Sequence, residues 1–482
     1  MAKTRLMADS TPSFKASLGL FDATMIVAGS MIGSGIFIVS ADITRNVGSA
    51  GWLIVVWLIT GFMTLTAALS YGELSGMFPK AGGQYVYLKE AFNPLAGFLY
   101  GWSFFAVIQT ATIAAVGVAF SKFIAYIVPE LGNNYFLFNI GGLKIHSGQL
   151  LAIFIIALLT FINSRGIKEG KIIQTVFTSA KLLALFGLII FGFVLVKESF
   201  WHSNMASGFN AMQDFGVENK GITPYQWQPI GGAALLGAIA AAMTGSIFSS
   251  DAWNNVTFIA GEIRNPKRNI GLSLFMGTLI VTVIYVCTNL MYLNVLPLDE
   301  IAFCADDRVA VAAANKIFPA FGTTMIALLI MVSTFGCNNG LVLAGARVYH
   351  TMANDGLFFK KAGKLNAASV PGYALWIQFI VAAAWCLSGR YGDLLDMISF
   401  VVVMFYMLTI TGIFILRKKR PDADRPYRAF GYPVLPALYI LLGMAFCTLL
   451  IIYKPAFVWP GLIIVAAGVP LYYIAVANKN KS

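Results

Sequence analysis

Two ionisable side chains stand deep inside otherwise apolar runs and set the first question about what this chain could do, while Lys122, near the outer end of the third run, reads as snorkelling. Asp251 lies in Gly245-Ser246-Ile247-Phe248-Ser249-Ser250-Asp251-Ala252-Trp253-Asn254-Asn255, and Lys181 in Phe177-Thr178-Ser179-Ala180-Lys181-Leu182-Leu183. A charged group within hydrocarbon costs at least about 2.5 kcal/mol, so such residues face a wet or paired interior. A third feature is uncharged. The stretch Gly29-Ser30-Met31-Ile32-Gly33-Ser34-Gly35-Ile36-Phe37 interrupts an apolar run with glycine and serine.

A helix in lipid satisfies its backbone groups internally, so a mid-span glycine cluster implies tight packing or unwinding beside a cavity. The Gly29 and Gly33 spacing fits a packing face. A packing face needs no Asp, however, and the Phe248–Asp251 stretch reads as a second interruption. Two interruptions at corresponding places in two halves match a solute site lying between them.

The chemistry of such a site follows from helix ends. Where the first run unwinds, the amides of Gly33, Ser34 and Gly35 lose carbonyl partners beside a positive dipole end, which suits a carboxylate. Unwound carbonyls near Met31 and Phe248 suit an ammonium, so a zwitterion fits both. Asp251 either adds negative charge near that ammonium or caps the second half of its broken helix. Small residues at Ser249, Ser250 and Ala252 leave room beside the solute. Lys181 has three readings: snorkelling to the interface, standing in for a bound cation between the first and eighth spans, or carrying a proton.

The elements that must position these residues are membrane helices. Of the 482 residues, 58% are hydrophobic and only 11% charged, whereas a soluble chain carries about a quarter charged residues. About 20 apolar residues cross a bilayer. Twelve runs qualify, centred on Leu18 to Val39, Gly51 to Tyr71, Leu95 to Tyr126, Gly148 to Ile162, Ile172 to Val196, Ile230 to Ala260, Leu272 to Leu296, Phe321 to Val348, Ala374 to Leu387, Leu394 to Leu416, Val434 to Tyr453 and Phe457 to Val476. Most of the 33 Lys and Arg fall in alternate connections, which puts both termini in the cytoplasm.

The net charge of +12 therefore reflects topology, and nucleic acid is not an expected partner. The basic run Arg417 to Arg428 reads as a topogenic loop near anionic lipid. The Gly72 to Tyr85 segment, with Glu73 at its start, reads as an interfacial helix-turn element and lacks the spacing of a nucleotide cradle. Cys287, Cys304, Cys337, Cys386 and Cys447 have no metal-type spacing and imply no disulfide framework. His146, His202 and His350 lack catalytic partners, which argues against a multispan enzyme; a receptor would not need the paired breaks. No removable signal peptide, metal or cofactor is expected.

Four stretches carry a resemblance to a known family: GSMIGSGIF at Gly29–Phe37, YGELSGMFPKAGGQYVYLKEAF at Tyr71–Phe92, TSAKLLALF at Thr178–Phe186 and FSSDAWNNVTFIAGEIRNPKRNI at Phe248–Ile270. They resemble the amino acid-polyamine-organocation superfamily of transporters, most closely its L-type amino acid transporter branch and bacterial relatives. The resemblance implies an all-α membrane fold of twelve helices like the sodium-coupled leucine transporter. Two five-helix inverted repeats would occupy residues 18–196 and 230–416, two peripheral helices 432–477, and cytoplasmic tails 1–17 and 478–482.

Carried over by position, the carboxylate contacts fall on Ser30, Ser34 and Gly35, and the ammonium contacts on the carbonyls of Met31, Phe248 and Asp251. Gly33 and Ser249 flank them. Phe248 matches an aromatic that closes over substrate, Trp253 joins it as a gating residue, and Lys181 matches the lysine that replaces a sodium site. The implied function is sodium-independent exchange of neutral L-amino acids at the plasma membrane. Proton-coupled uptake, or transport of cationic amino acids or polyamines, is the alternative. Asp251 stands where the branch often has glycine, which keeps a cationic substrate open. Pro129 to Ser147 contains no cysteine, so no disulfide-linked heavy subunit is expected.

Overall fold

A computed structural model describes Phe14 and residues 16–131, 136–140, 143–214, 226–319, 321–387 and 391–480. Much of the expected amino-terminal tail, the end of the carboxy-terminal tail and parts of the Pro129 to Ser147 segment lie outside the described residues.

The chain begins with α1 (Leu20–Met31) and α2 (Gly35–Val47), which meet at a 42° bend. Gly48, at φ 54°, ends α2 in the left-handed conformation. Ser49 then accepts from the Trp52 amide and opens α3 (Ala50–Met77). After α4 (Gln84–Ala91), Asn93 caps α5 (Pro94–Ser103), with Pro94 in the first turn where its missing N–H is harmless. A π-helical turn at Phe104–Ile108 joins α5 to α6 (Gln109–Ile124).

The hairpin β1 (Phe136–Ile140) and β2 (Leu143–His146) leads to α7 (Ser147–Arg165), α8 (Ile167–Val194) and the short α9 (Trp201–Met205). Antiparallel β3 (Met212–Asp214) and β4 (Trp227–Pro229) precede α10 (Gly232–Ser249), α11 (Asn255–Phe258) and α12 (Pro266–Val295). Then follow α13 (Leu298–Phe303), α14 (Val309–Ile317), α15 (Gly322–Asn354), α16 (Gly372–Leu387), α17 (Tyr391–Lys419), α18 (Val434–Tyr453) and α19 (Pro455–Asn480).

Among the described residues, ten helices are long and apolar enough to cross a membrane, and the bent α1–α2 pair makes an eleventh. The expected ninth span is α16, apolar but only 16 residues long. The all-α expectation holds for the spans, and two small hairpins are added between them.

At the centre, α1 packs on α12 and α8, α2 on α10, and α3 on α12, so the broken spans lie inside a cage of unbroken ones. Close approach relies on small residues. A Cβ on Gly61 of α3 would meet the Thr282 side chain of α12, and one on Gly245 of α10 would meet Val39 of α2. At the periphery, α18 leans on α17 and α10, and α19 on α5 and α17.

Three expectations need correction. The sixth span does not run to Ala260: α10 stops at Ser249, and only four-residue α11 and a 3-10 turn at Ala260–Glu262 follow. Glu73 does not open an interfacial turn, because α3 continues to Met77. The Arg417 to Arg428 run is not simply a lipid-facing loop. Fully buried Glu73 receives Arg417 at 3.0 and 2.7 Å and the Ala429 amide at 2.7 Å, with Arg425 3.3 Å away. Arg420 pairs with Glu90. A buried carboxylate needs such partners, and the run supplies them.

Candidate substrate site at the broken spans

The glycine–serine cluster unwinds where the sequence places it. Between Met31 and Gly35 the backbone leaves the helix, and the amides of Ser34 and Gly35 open α2, where a helix has no carbonyl partners for its first N–H groups. The hydroxyls of Ser30 and Ser34 are buried and carry no hydrogen-bond partner among the described residues. Free amides at a positive helix end, with the orphan Ser34 hydroxyl on the same turn, suit an anion, whereas the Ser30 hydroxyl lies against Gly340 of α15.

Lys181 resolves its three readings in part. It is 1% exposed, and Nζ donates to the Gly29 and Ile32 carbonyl oxygens at 2.6 Å each, with the Ser333 carbonyl oxygen at 3.4 Å. Snorkelling is therefore wrong: the ammonium points into the break, and it bridges α1 to α15. The Ser333 hydroxyl adds bonds to the Ile32 and Gly33 carbonyls at 3.1 and 3.4 Å. Gln174 and Thr178, on the same helix as Lys181, reach the Met25 carbonyl.

The expected ammonium acceptors are less open. The Met31 carbonyl already receives the Gly33 amide at 2.9 Å and the Tyr285 hydroxyl at 3.0 Å. The Phe248 carbonyl accepts the Asp251 amide at 3.3 Å. Phe248 itself is 8% exposed in the last turn of α10. Gly35 lies so close to α10 that a Cβ there would meet Ser249 Cβ and Cα. The two breaks are thus pressed together at Gly35 and Ser249, while Gly33 faces Cys337 of α15.

Asp251 is not a helix cap. Asn254 precedes α11 without a side-chain cap bond, and Asp251 Oδ1 accepts from the Tyr406 hydroxyl of α17 at 2.5 Å. Tyr406 packs on Trp253 at 5.0 Å and on Tyr71 at 5.9 Å, and Tyr71 meets Trp253 edge-on at 4.7 Å. Trp253 is thereby held at 2% exposure beside the break.

Two narrow cavities flank Asp251. One is lined by Gln84, Gln109, Asn254, Asn255, Tyr100 and Tyr406, the other by Thr60, Thr64, Ser250, Trp253, Tyr406 and Tyr439, with apolar neighbours. Ser30, Met31, Gly33, Ser34, Gly35, Phe248 and Ser249 line neither. Gln84 couples the first cavity to its walls: the Asn254 amide donates to Oε1 and Gln84 Nε2 donates to Thr409, both at 3.0 Å.

Of the other candidate liners, Tyr406 faces both cavities. Asn339 is tied to Gln174 and Asn163, and the Asn338 amide donates to the Ile113 carbonyl while its buried Oδ1 has no partner among the described residues. Sequence reasoning did not single out Gln84, Ser333 or Tyr285. Nothing in their neighbours' composition separates Ser333 and Tyr285 from ordinary span residues, and Gln84 lies within the Tyr71–Phe92 stretch without a signal of its own.

Two spans broken at facing positions, held in a cage of apolar helices and offering backbone groups in place of catalytic ones, define a membrane transporter. The profile of the Amino acid permease family matches residues 18–476, and the chain belongs to that family. The large neutral amino acids transporter small subunit 2 of Homo sapiens is 29% identical over 473 residues, covering 97% of this chain and 82% of its own. The b(0,+)-type amino acid transporter 1 of Mus musculus is 27% identical over 482 residues, covering 97% and 90%.

Proposed function

We propose that this chain exchanges neutral L-amino acids across the plasma membrane without sodium, by alternating access to a site between the unwound centres of the first and sixth spans. The observation that carries this reading is the Lys181 ammonium against the Gly29 and Ile32 carbonyls. A fixed positive charge fills the place where a coupling cation would need oxygen ligands. In this reading the Ser34 and Gly35 amides with the Ser30 and Ser34 hydroxyls take the carboxylate, and carbonyls of Met31, Phe248 and Asp251 take the ammonium once the breaks part. Phe248 and Trp253 close the site. Residues 18–196 and 230–416 act as the two repeats, and both termini face the cytoplasm.

The test is uptake of labelled neutral amino acids into proteoliposomes, empty or preloaded, with sodium replaced by choline and with or without a pH gradient. Acceleration by internal amino acid without sodium or a gradient supports exchange, and gradient-driven uptake would move the reading to proton coupling.

A second substrate class is favoured by Asp251, whose carboxylate borders a cavity rich in amide side chains. Such a lining accepts the charged end of a cationic amino acid. Inhibition of neutral uptake by lysine or arginine, lost in Asp251→Gly, would establish that class. The proposal includes no disulfide-linked partner, because Pro129 to Ser147 contains no cysteine.

A further inference from the structure

Two arginines stand at the head of an apolar groove on the outer surface of the helices. On α12, Leu272, Met276, Leu279 and Val283 are exposed at helical spacing and form one stripe, and exposed Arg268 opens that stripe one turn earlier. On α3, Gly61 and Gly72 face Thr282 and Gly271 of α12, while Met63 borders a cavity together with Tyr439 of α18. Leu58 and Phe62 lie between these two sides of α3 and are exposed. Val434, Leu438 and Leu441 of α18 are exposed as well. With α3 packed on both α12 and α18, the three helices make a groove whose floor is α3 and whose walls are the other two.

The connection before α18 crosses one end of this groove. The Tyr427 ring packs on Gly72, which also lies against Gly271, and the Ala429 amide donates to Glu73 at 2.7 Å. Arg428 is held between these two anchors, beside the first turns of α12. Arg268 and Arg428 are both exposed, and among the described residues neither guanidinium meets a carboxylate. Their neighbours do: Lys267 pairs with Asp424, Arg417 with Glu73 and Arg420 with Glu90.

We propose that the groove is a binding site for one anionic phospholipid, its phosphate held by Arg268 and Arg428 and its acyl chains laid along α3. A guanidinium offers paired N–H donors that match phosphate oxygens, and two uncompensated ones at the membrane surface select an anion. A headgroup with its own ammonium would bring a third cation against them, so net-anionic lipid is preferred. With both termini cytoplasmic, as proposed, this end of the groove lies in the inner leaflet, whose surface carries the negative lipid. The seated lipid joins α3 and α12, part of the cage around the broken spans, to peripheral α18.

The test is native mass spectrometry of the purified chain in detergent, titrated with phosphatidylglycerol or with phosphatidylethanolamine of the same acyl chains. Three proteins are compared: wild type, Arg268→Gln with Arg428→Gln, and Lys360→Gln with Lys361→Gln, which removes the same charge from exposed residues of another connection. Phosphatidylglycerol should bind wild type more tightly than phosphatidylethanolamine, and loss of the two arginines should weaken it by roughly fivefold for each. The lysine variant should bind as wild type does. A phosphatidylglycerol with a diazirine in its acyl chain should label α3 and α12 around Phe62 and Met276, and this labelling should fade in the arginine variant.

Equal weakening in the arginine and lysine variants would reduce the effect to general surface charge and overturn the site. Equal affinity for the two lipids would overturn it too, as would labelling spread evenly over all lipid-facing helices. A dimer whose groove takes no label from either lipid would give the groove to a second copy of the chain and overturn the lipid assignment. None of these readouts involves transport, so the amino acid exchange reading stands or falls separately.

Discussion

Removing the Lys181 ammonium leaves the Gly29 and Ile32 carbonyls buried without their charged donor. Each hydrogen bond to a charged group contributes about 1.5–3 kcal/mol, so Lys181→Met should cut exchange at least tenfold while the long stem still fills its space. Folded protein on size exclusion together with wild-type exchange would refute a role for that charge. Cys304 offers a second test. Burial, reinforced by the Asp307 carboxylate, pushes its thiol up to about 12, from an ordinary value of about 8.5. The thiolate is the reactive form, so maleimide labelling at this position should be negligible at pH 8 and rise about tenfold per pH unit as the solution is made more alkaline. Fast labelling at pH 8 would contradict the buried environment. At this scale the sequence revealed charges better than partners. Lys181 and Asp251 stood out because hydrocarbon penalises charge, but only the fold pairs one with α1 and the other with Tyr406. Tyr285 gave no signal, because a tyrosine in an apolar span is ordinary and its hydroxyl meets the backbone carbonyls of Met31 and Ser249 from distant segments.

The contact between α2 and α10 depends on the absence of a side chain at Gly35, where a Cβ would run into Ser249. Overpacking of this kind typically costs 1–3 kcal/mol. Gly35→Ala should lower the melting temperature in detergent and slow exchange, and Ser249→Gly in the same chain should recover much of the loss by removing the colliding Cβ and Oγ. Additive damage in the double variant would show that the two positions do not share this contact. Element boundaries follow the same logic. Long spans such as α3 and α12 were legible because a run of apolar residues leaves few alternatives in lipid. The break after α10 was legible from its serines and Asp251, but the shortness of α11 was not: Ala252 takes φ 63°, a backbone state that residue type does not announce. Likewise, the Arg417 to Arg428 run displays its charge in sequence, while its buried acceptor Glu73 comes from α3, hundreds of residues away.

Across the whole molecule, two clasps of different character hold the ends of the broken spans. At one end, the amino-terminal segment is bound to the linker before α12: the Ser17 and Leu18 amides donate to the Glu262 carbonyl at 2.9 and 3.0 Å, and Arg264 returns a bond to Leu18. The Glu262 side chain meets Arg347 of α15 at 3.0 Å with both almost wholly buried. At the other end, Arg45 of α2 donates to the Ala302 carbonyl at 2.6 Å and to Asp307 at 2.7 Å, and this pair is partly open, with side-chain exposures of 18% and 28%. Salt screens exposed charges and hardly touches buried ones, so only the Arg45 clasp should respond to ionic strength. With the amino terminus cytoplasmic, as proposed, that clasp faces outward and must release before external substrate can load. Raising external choline chloride from low salt to about 1 M at constant osmolarity should speed initial influx roughly twofold in wild type, and the acceleration should vanish in Arg45→Gln. A salt effect of equal size in both proteins would place the sensitivity elsewhere. Faster loading at high salt in wild type alone would identify the α2 end as the step that external substrate waits for, and would leave the buried Glu262–Arg347 pair to govern opening on the other side.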